Sequence, residues 1–205
     1  MRLEQMTWKQ AENFFKTHDT AIIPIGSIEN HGSHLVLGTD FLIPSHITES
    51  IQEQLETLIV PAVPYGIADH HKGFAGTISL GYEGLHLVLQ KITDSLYEYG
   101  VRKFIFLNGH GGNDPAILDV GLELENKGCL SALLNWWQLA GELNPKWKGG
   151  HGGGEETAAI LAINPEWVHM EDYMPLTPVE ISPEMKVNGT RTVQFKGATV
   201  TVQRH

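Results

Sequence analysis

Hydrophobic and polar positions divide the chain into short apolar runs and longer amphipathic segments that alternate along its length. The apolar runs predict four buried strands, at residues 21–25, 58–63, 101–107 and 130–134. The amphipathic segments predict helices, with Thr7 as a cap and Gly100 and Gly128 as stops. These helices are predicted just after Thr7 and at residues 40–58, 82–99, 114–127 and 155–163.

This alternation predicts an α/β fold, a three-layer sandwich in which helices cover both faces of a mainly parallel central sheet. Prolines in the second predicted strand place that strand near a sheet edge. The tail from about residue 166 shows no clear pattern until residues 190–202, which predict a short hairpin. No repeat or linker divides the sequence, so we expect a single domain over residues 1–205.

The composition is that of an ordinary globular protein with an acidic balance. The 205 residues carry a formal net charge of −10, and 41% of them are hydrophobic. Lys and Arg form no cluster, so binding to nucleic acid or to an anionic membrane is not expected. Cys129 is the single cysteine, which excludes an internal disulfide and a Cys-rich zinc site. Without an apolar signal core or a membrane-length apolar run, a cytoplasmic enzyme is expected.

Histidines and carboxylates stand in the loops that follow two of the predicted strands. Glu29, His31 and Asp40 follow the first strand, and His110 follows the third. Ligands of parallel sheets bind outside the carboxyl ends of the strands, so we expect these side chains to meet there. A mixed set of imidazole and carboxylate suits Zn, Mn, Fe or Co and does not favour Ca or Mg. Asp40 is suited to bridging two ions about 3.5–4 Å apart, as in dinuclear hydrolases.

Each of these features also has a purely structural alternative. Asp40 is placed to cap the helix that follows it, and residues 108–113 to form a tight turn between a strand and a helix. For Glu155 we favour the general preference for carboxylates in the first turn of a helix over a ligand role. The Walker and dinucleotide-binding glycine patterns are both missing, so a phosphate cradle is not indicated. The coincidence of all these features at strand ends favours the metal site.

Three motifs, in order and with compatible spacing, resemble the signature motifs of the creatininase (creatinine amidohydrolase) family. They are Glu29-x-His31-Gly32-x-His34-Leu35-x-Leu37-Gly38-Thr39-Asp40, Asn108-Gly109-His110-Gly111-Gly112-Asn113 and His151-x-Gly153-x-x-Glu156-Thr157. A fourth stretch, His71-x-x-Phe74-x-Gly76-Thr77, is similar to the substrate-side loop of the family. Creatininase proper carries Asn-Gly-His-Tyr-Glu-Asn in the second motif, with the glutamate as a ligand. This chain has Gly112 there, so creatinine is not the expected substrate.

The resemblance implies a ligand set and a chemistry. Family members are metal-dependent amidohydrolases that open cyclic amides or cleave formamides, and they commonly assemble as hexamers. By position, the implied metal ligands are Glu29, His31, Asp40, His110 and Glu156, with Asp40 as the bridge. His151 matches a histidine that has an acid/base role beside the metals. We therefore expect two divalent ions per subunit (Zn, Mn or Fe), a small-molecule substrate and a homo-oligomer, with a hexamer as the expected form.

Three further residues, His34, His71 and Trp136, are candidates for contacting substrate. Trp136 and Trp137 follow the fourth strand, where they either wall a pocket against a flat substrate or pack in the core. His34 is equally suited to holding its own loop by a hydrogen bond. The leading hypothesis is hydrolysis of a non-peptide C–N bond, in a cyclic amide or a formamide, with His151 giving a proton to the departing nitrogen. The alternatives are a metallopeptidase that trims a modified precursor peptide and a non-catalytic metal-binding protein.

Overall fold

A four-stranded parallel sheet of order β2-β1-β3-β4 forms the centre of the computed structural model, which describes residues 1–174, 182–188 and 192–201. The strands are β1 (Thr20–Ile25), β2 (Leu58–Ile59), β3 (Lys103–Asn108) and β4 (Leu130–Asn135). The helices are α1 (Trp8–Phe15), α2 (Thr39–Ile51), α3 (Gly81–Glu98), α4 (Asp114–Asn126), α5 (Trp136–Leu143) and α6 (Gly154–Ile163). The predicted α/β fold, with a parallel sheet between layers of helices, is confirmed.

Successive side chains of the central strands enter two different cores, one on each face of the sheet. Ile23 of β1 and Phe106 of β3 lie in the core that α1, α3 and α4 cover. Ile22 and Leu107 lie in the second core, which α2, α5 and α6 cover. Because both faces are buried, the strands are apolar at nearly every position, which is the pattern that predicted a parallel sheet.

Two elements are shorter than the sequence pattern predicted. α2 ends at Ile51, although apolar spacing continues to Leu55, which packs against the second core from the segment that follows the helix. β2 pairs with β1 over only two residues, because Pro61 has no N–H group to offer the ladder. Pairing resumes at a single bridge between Ile25 and Val63. The predicted edge position of β2 is confirmed.

The sequence pattern did not predict α5, which begins directly after the last residue of β4. The hairpin predicted at residues 190–202 is confirmed for its described part, where β6 (Thr192–Phe195) and β7 (Ala198–Thr201) pair antiparallel. Residues 190, 191 and 202 lie outside the described residues. A third strand, β5 (Met185–Asn188), adds to this small sheet and was not predicted. Among helices in the described ranges, none is long and apolar enough to cross a membrane.

The carboxyl ends of the three long strands lie level with one another. Ile25, the last residue of β1, pairs with Asn108 of β3, which in turn pairs with Asn135 of β4. The chain therefore leaves all three strands at the same sheet edge. The loops that follow β1 and β3 and the start of α5 after β4 therefore lie in one region, as expected for a parallel sheet.

Candidate metal centre

Loops and first helical turns at the carboxyl edge of the sheet bring five candidate ligands together. The loop after β1 carries Glu29 and His31, and the first turn of α2 carries Asp40. His110 follows β3, and Glu156 lies in the first turn of α6. All five side chains are buried. The structure thus assembles residues that lie far apart in the sequence into one polar cluster beneath the surface.

Two glycines at strand ends allow Asp40 to enter this cluster. A Cβ atom at Gly26, just after β1, would lie 2.6 Å from the Asp40 carbonyl oxygen and would overlap the Phe41 backbone. A Cβ atom at Gly109, just after β3, would overlap that same carbonyl oxygen. The first turn of α2 therefore packs directly on the backbone of both strand ends. A larger residue at either glycine would force Asp40 away from the other ligands.

The carboxylate of Asp40 faces a different histidine with each oxygen. His31 Nε2 lies 2.8 Å from Asp40 Oδ1, and His110 Nδ1 lies 2.9 Å from Asp40 Oδ2. Glu29 is next to one histidine, with its Oε2 3.2 Å from His110 Nε2, and Glu156 is next to the other, with its Oε2 3.8 Å from His31 Nε2. Two sets of three ligand atoms, each set within 4.8 Å, therefore share Asp40: Glu29, Asp40 and His110, and His31, Asp40 and Glu156.

His151 and His71 lie on the Glu29 side of the cluster. Glu29 Oε1 is 3.6 Å from His151 Nδ1 and 3.4 Å from His71 Nε2. The two imidazole rings stack, with centroids 4.4 Å apart, and the His151 ring is 4.5 Å from that of His31. His151 is also within ligand distance of Glu29 and His31. The structure therefore places the predicted acid/base residue directly beside the candidate ligands.

Burial and mutual charge shift the pKa values of the acidic members of the cluster. Burial raises the pKa of Glu29 to about 7, and it does the same for Glu156. Burial alone would also raise the pKa of Asp40, but the charge of His31 and the hydrogen bond from His110 outweigh it and hold the pKa below its ordinary value. Asp40 is therefore the carboxylate that stays ionised at neutral pH.

The histidines divide into two groups. Burial opposes the charged form of both His31 and His110, but the neighbouring carboxylates, Asp40 above all, raise their pKa values to about 10 and about 9. His151 differs, because burial and the nearby charges of His31 and His71 lower its pKa to about 3. His151 is therefore a neutral imidazole at pH 7.

The donor set fits divalent metal ions. The cluster packs three carboxylates and two imidazoles closely together, almost fully buried. Burying these groups costs free energy unless an ion or bound protons balance their charge. One buried oxygen of this cluster, Glu29 Oε1, has no hydrogen-bond partner among the described residues. The protein also orients its ligands: the Ser27 hydroxyl donates to Glu29 Oε2 at 2.8 Å. Ligand identity, spacing and supporting contacts are those of a transition-metal site.

Two asparagines of the second motif hold the loops around the site, a role that sequence reasoning did not assign to them. Asn113 donates to the Gly26 carbonyl at 3.1 Å and accepts from the Ile67 backbone N–H at 2.9 Å. Asn108 accepts from the His110 backbone N–H at 3.1 Å and donates to the side chain of Asn135 at 3.0 Å. These bonds tie the ends of the three long strands together. Their only sequence signal is their position at the two ends of that motif.

A cavity of about 550 Å³ opens from the cluster to the surface. Glycines form much of its wall, namely Gly109, Gly111, Gly112, Gly149 and Gly150. Its other lining residues are Asp40, Ile67, His70, Tyr82, His110, Pro115, Trp137, His151, Glu155 and Glu156. This is a ligand-sized space with the candidate metal site at its base. A larger apolar cavity, of about 820 Å³, lies between α1 and α3 and has none of the candidate ligands.

The three predicted substrate contacts take different positions. His71 lies beside Glu29, as described above. His34 does not line the cavity: its Nε2 is 3.3 Å from the Thr157 hydroxyl oxygen, and its ring edge meets Tyr173, so it holds the loop. Trp136 is buried in the second core, whereas Trp137 lines the cavity. The tryptophan in the cavity wall is therefore Trp137 and not Trp136.

Gly112 occupies a place with no room for a side chain. A Cβ atom there would overlap His110 Nε2 and the Ile67 carbonyl oxygen. The glutamate ligand that the resemblance places at this position in creatininase proper thus has no equivalent in this chain. Both sets of three candidate ligands form without it.

Comparisons with known proteins identify the family and several relatives of this chain. The family model for creatininase, described as creatinine amidohydrolase, matches residues 4–201. The creatinine amidohydrolase of Pseudomonas putida is 29% identical over 207 residues, covering 87% of this chain and 80% of that protein. The mycofactocin precursor peptide peptidase of Mycobacterium tuberculosis (strain CDC 1551 / Oshkosh) is 34% identical over 205 residues, covering 88% of this chain and 74% of that protein. A solved structure of creatininase in a Mn form aligns with a TM-score of 0.75 at 27% identity, covering 89% of this chain and 80% of that one.

The match extends across both the fold and the sequence. The family model spans both the parallel sheet and all three motifs. With the family model matching from residue 4 to residue 201, the chain belongs to the creatininase family and is a hydrolase.

Proposed function

We propose that this hydrolase cleaves a non-peptide C–N bond, in a cyclic amide or a formamide, at a centre of two divalent ions. One observation carries the proposal: the two oxygens of Asp40 face different histidines, and each side has its own set of three ligands. A structural zinc site closes its coordination with four protein ligands. Two three-ligand sets that share a carboxylate leave positions open for water and substrate, as dinuclear hydrolases require.

The donor chemistry decides which residues would hold the ions. Glu29, Asp40 and His110 would hold one, and His31, Asp40 and Glu156 the other. When bound, the ions would supply Lewis-acid chemistry, activating water near neutral pH and polarising the substrate carbonyl. The Mn form of a solved family member supports a divalent metal, and Zn, Mn and Fe are the candidates that suit these ligands.

His151 is placed to move the proton that this reaction requires. It lies beside Glu29 and lines the cavity, within reach of a substrate held there. A neutral imidazole first accepts a proton from the attacking water and then donates that proton to the departing nitrogen. Without the second transfer the nitrogen would leave as an amine anion, which is a poor leaving group. Trp137 forms the wall against which a flat substrate would lie.

The test combines metal analysis with a substrate screen. Protein purified without chelator is analysed for metal and assayed against cyclic ureides, lactams and formamides. His151→Ala should keep its metal and lose about 10²–10⁴-fold in kcat, the usual contribution of a positioned acid/base group. His46→Ala is the matched control, because His46 is exposed on α2. Metal that neither copurifies nor can be restored, or equal activity of both variants, would sink the proposal.

A peptide substrate is the second candidate, because the cavity opens to the surface beside the candidate metal site. At Gly150 in its wall a Cβ atom would meet no described atom within 4 Å, so the space there is open to an extended chain. The mycobacterial relative is named a peptidase for a precursor peptide. If short peptides are cleaved at their termini while cyclic amides and formamides are not, this candidate replaces the first.

Assembly and location complete the proposal. We propose a homo-oligomer, with a hexamer as the expected form, in the cytoplasm. Leu118 and Leu122 on α4 are exposed, and so is Leu130 at the start of the edge strand β4; exposed apolar side chains of this kind support association. Light scattering on the metal-loaded protein tests the assembly, and a monomer at every concentration would overturn it.

A further inference from the structure

The charged groups around the cavity are unevenly distributed. No Lys or Arg side chain from the described ranges lines it. Its acidic lining residues are Asp40 and Glu156, both candidate metal ligands, and Glu155. Once ions are bound, their charge offsets that of the ligand carboxylates. Glu155 is then the carboxylate of the wall that no ion balances.

Glycine backbone frames the Glu155 carboxylate. A Cβ atom at Gly149 would overlap both of its oxygens, and one at Gly153 would lie 2.7 Å from its Oε2. The side chain therefore lies against the loop that precedes α6, in space that these two glycines keep open. Its Oε2 is shielded from solvent and has no hydrogen-bond partner among the described residues. The side chain as a whole is partly exposed and lines the cavity, so a ligand there can meet its carboxylate.

The Glu155 carboxylate in the cavity wall would affect anionic and cationic substrates in opposite ways. A substrate that ends in a carboxylate or a phosphate would bring a negative charge toward Glu155, with no Lys or Arg of the described wall to offset it. Like charges brought together in this way discriminate strongly between partners. A substrate that ends in an ammonium or a neutral N–H group would instead bring a hydrogen-bond donor toward this carboxylate.

We propose that Glu155 is a specificity-determining residue, and that the substrate is an amide carrying an ammonium or a neutral N–H donor at the end remote from the scissile C–N bond. Anionic amides are rejected by the same residue. This inference rests on the proposed metal-dependent hydrolysis, and it names the substrate class of that site. Glu155 acts on binding and takes no part in the bond cleavage.

The test uses a pair of straight-chain hydroxamates with equal numbers of methylene groups, one ending in an ammonium and the other in a carboxylate. The hydroxamate group ligates a metal ion without turnover, so the pair reports on the remote end alone. Dissociation constants are measured by calorimetry on the metal-loaded protein. The unaltered protein should bind the ammonium probe about tenfold more tightly than the carboxylate probe.

Two variants separate a local effect of Glu155 from the overall negative charge. Glu155→Gln should make the two affinities nearly equal while the metal content stays unchanged. Glu166→Gln changes the net charge by the same amount at an exposed position, and it should keep the preference. Equal affinities in the unaltered protein, or an unchanged preference in Glu155→Gln, would overturn the inference alone. A protein that retains no metal would overturn the proposed function and the inference with it.

Discussion

Loading the metal-free protein with divalent ions at pH 7 should release roughly three protons per subunit. The reason is that the cluster balances its charge with protons when no ion is present. A metal ion can bind only to an unprotonated imidazole or an ionised carboxylate, so each bound proton must leave. The prediction is specific because the five ligands differ in how firmly they hold protons.

The magnitude follows from the individual pKa values. His31, with a pKa of about 10, and His110, with a pKa of about 9, each hold a proton at pH 7. Glu29 and Glu156, with pKa values of about 7, each hold about half a proton there. Asp40 holds none, because its pKa lies below the ordinary value. At pH 8.5 both glutamates are already ionised, so the release should fall to about two protons.

Calorimetric titration of metal into the protein, in buffers with different ionisation enthalpies, counts these protons directly. Glu156→Gln is the control: it removes one titrating ligand and should release fewer protons at pH 7 than the unaltered protein. Release of less than about one proton at pH 7, or a release that does not decrease as the pH rises, would refute the charge balance assigned to this cluster.

Three further predictions concern the same cluster. The melting temperature of the metal-free protein should fall as the pH rises from 5 to 9, whereas that of the metal-loaded protein should not. In the folded state the pKa values of Glu29 and Glu156 are about 7, against an ordinary value of 4.5, and those of His31 and His110 are about 10 and about 9, against 6.5. The folded state therefore loses stabilising protons over this pH range. Scanning calorimetry with and without chelator measures this difference, and a gap that narrows with pH would contradict it. The Asp40→Asn variant should lose both ions, because Asp40 belongs to both ligand sets, and the Glu156→Gln variant should lose only one. Elemental analysis counts the ions. Loss of a single ion from Asp40→Asn would argue against a shared carboxylate. Gly112→Ala should weaken metal binding about 10-fold or more by displacing His110, while Gly150→Ala, where a Cβ atom meets nothing within 4 Å, should bind metal normally.

The sequence predicted which candidate ligands lie together better than it predicted the residues around them, and the physical reasons differ. His110 and Glu29 follow apolar runs, and the carboxyl ends of parallel strands must share a sheet edge, so a pattern along the chain was enough to bring them together. Trp136 and Trp137 are adjacent, and only the rotational phase of α5 decides which of them lines the cavity. The pattern did not predict that helix.

Glu155 shows a second limit of sequence reasoning. Its neighbour Glu156 belongs to a motif with a recognised spacing, whereas Glu155 does not, and the preference of helix starts for carboxylates was a sufficient explanation. Glu155 differs because its carboxylate packs against the backbone of Gly149 and Gly153, where a Cβ atom would leave it no room. A contact of that kind depends on how a loop folds back over a helix. No spacing along the chain encodes it.

The close packing of α2 on Gly26 and Gly109 would give a bound ion a structural role as well as a chemical one. Asp40 reaches the cluster only because its own backbone rests on the ends of β1 and β3. An ion held by Asp40, Glu29 and His110 would therefore link a helix and two strands at their meeting point. The framework of the fold would then fix the position of the ion, whereas the loops around it could differ without moving it.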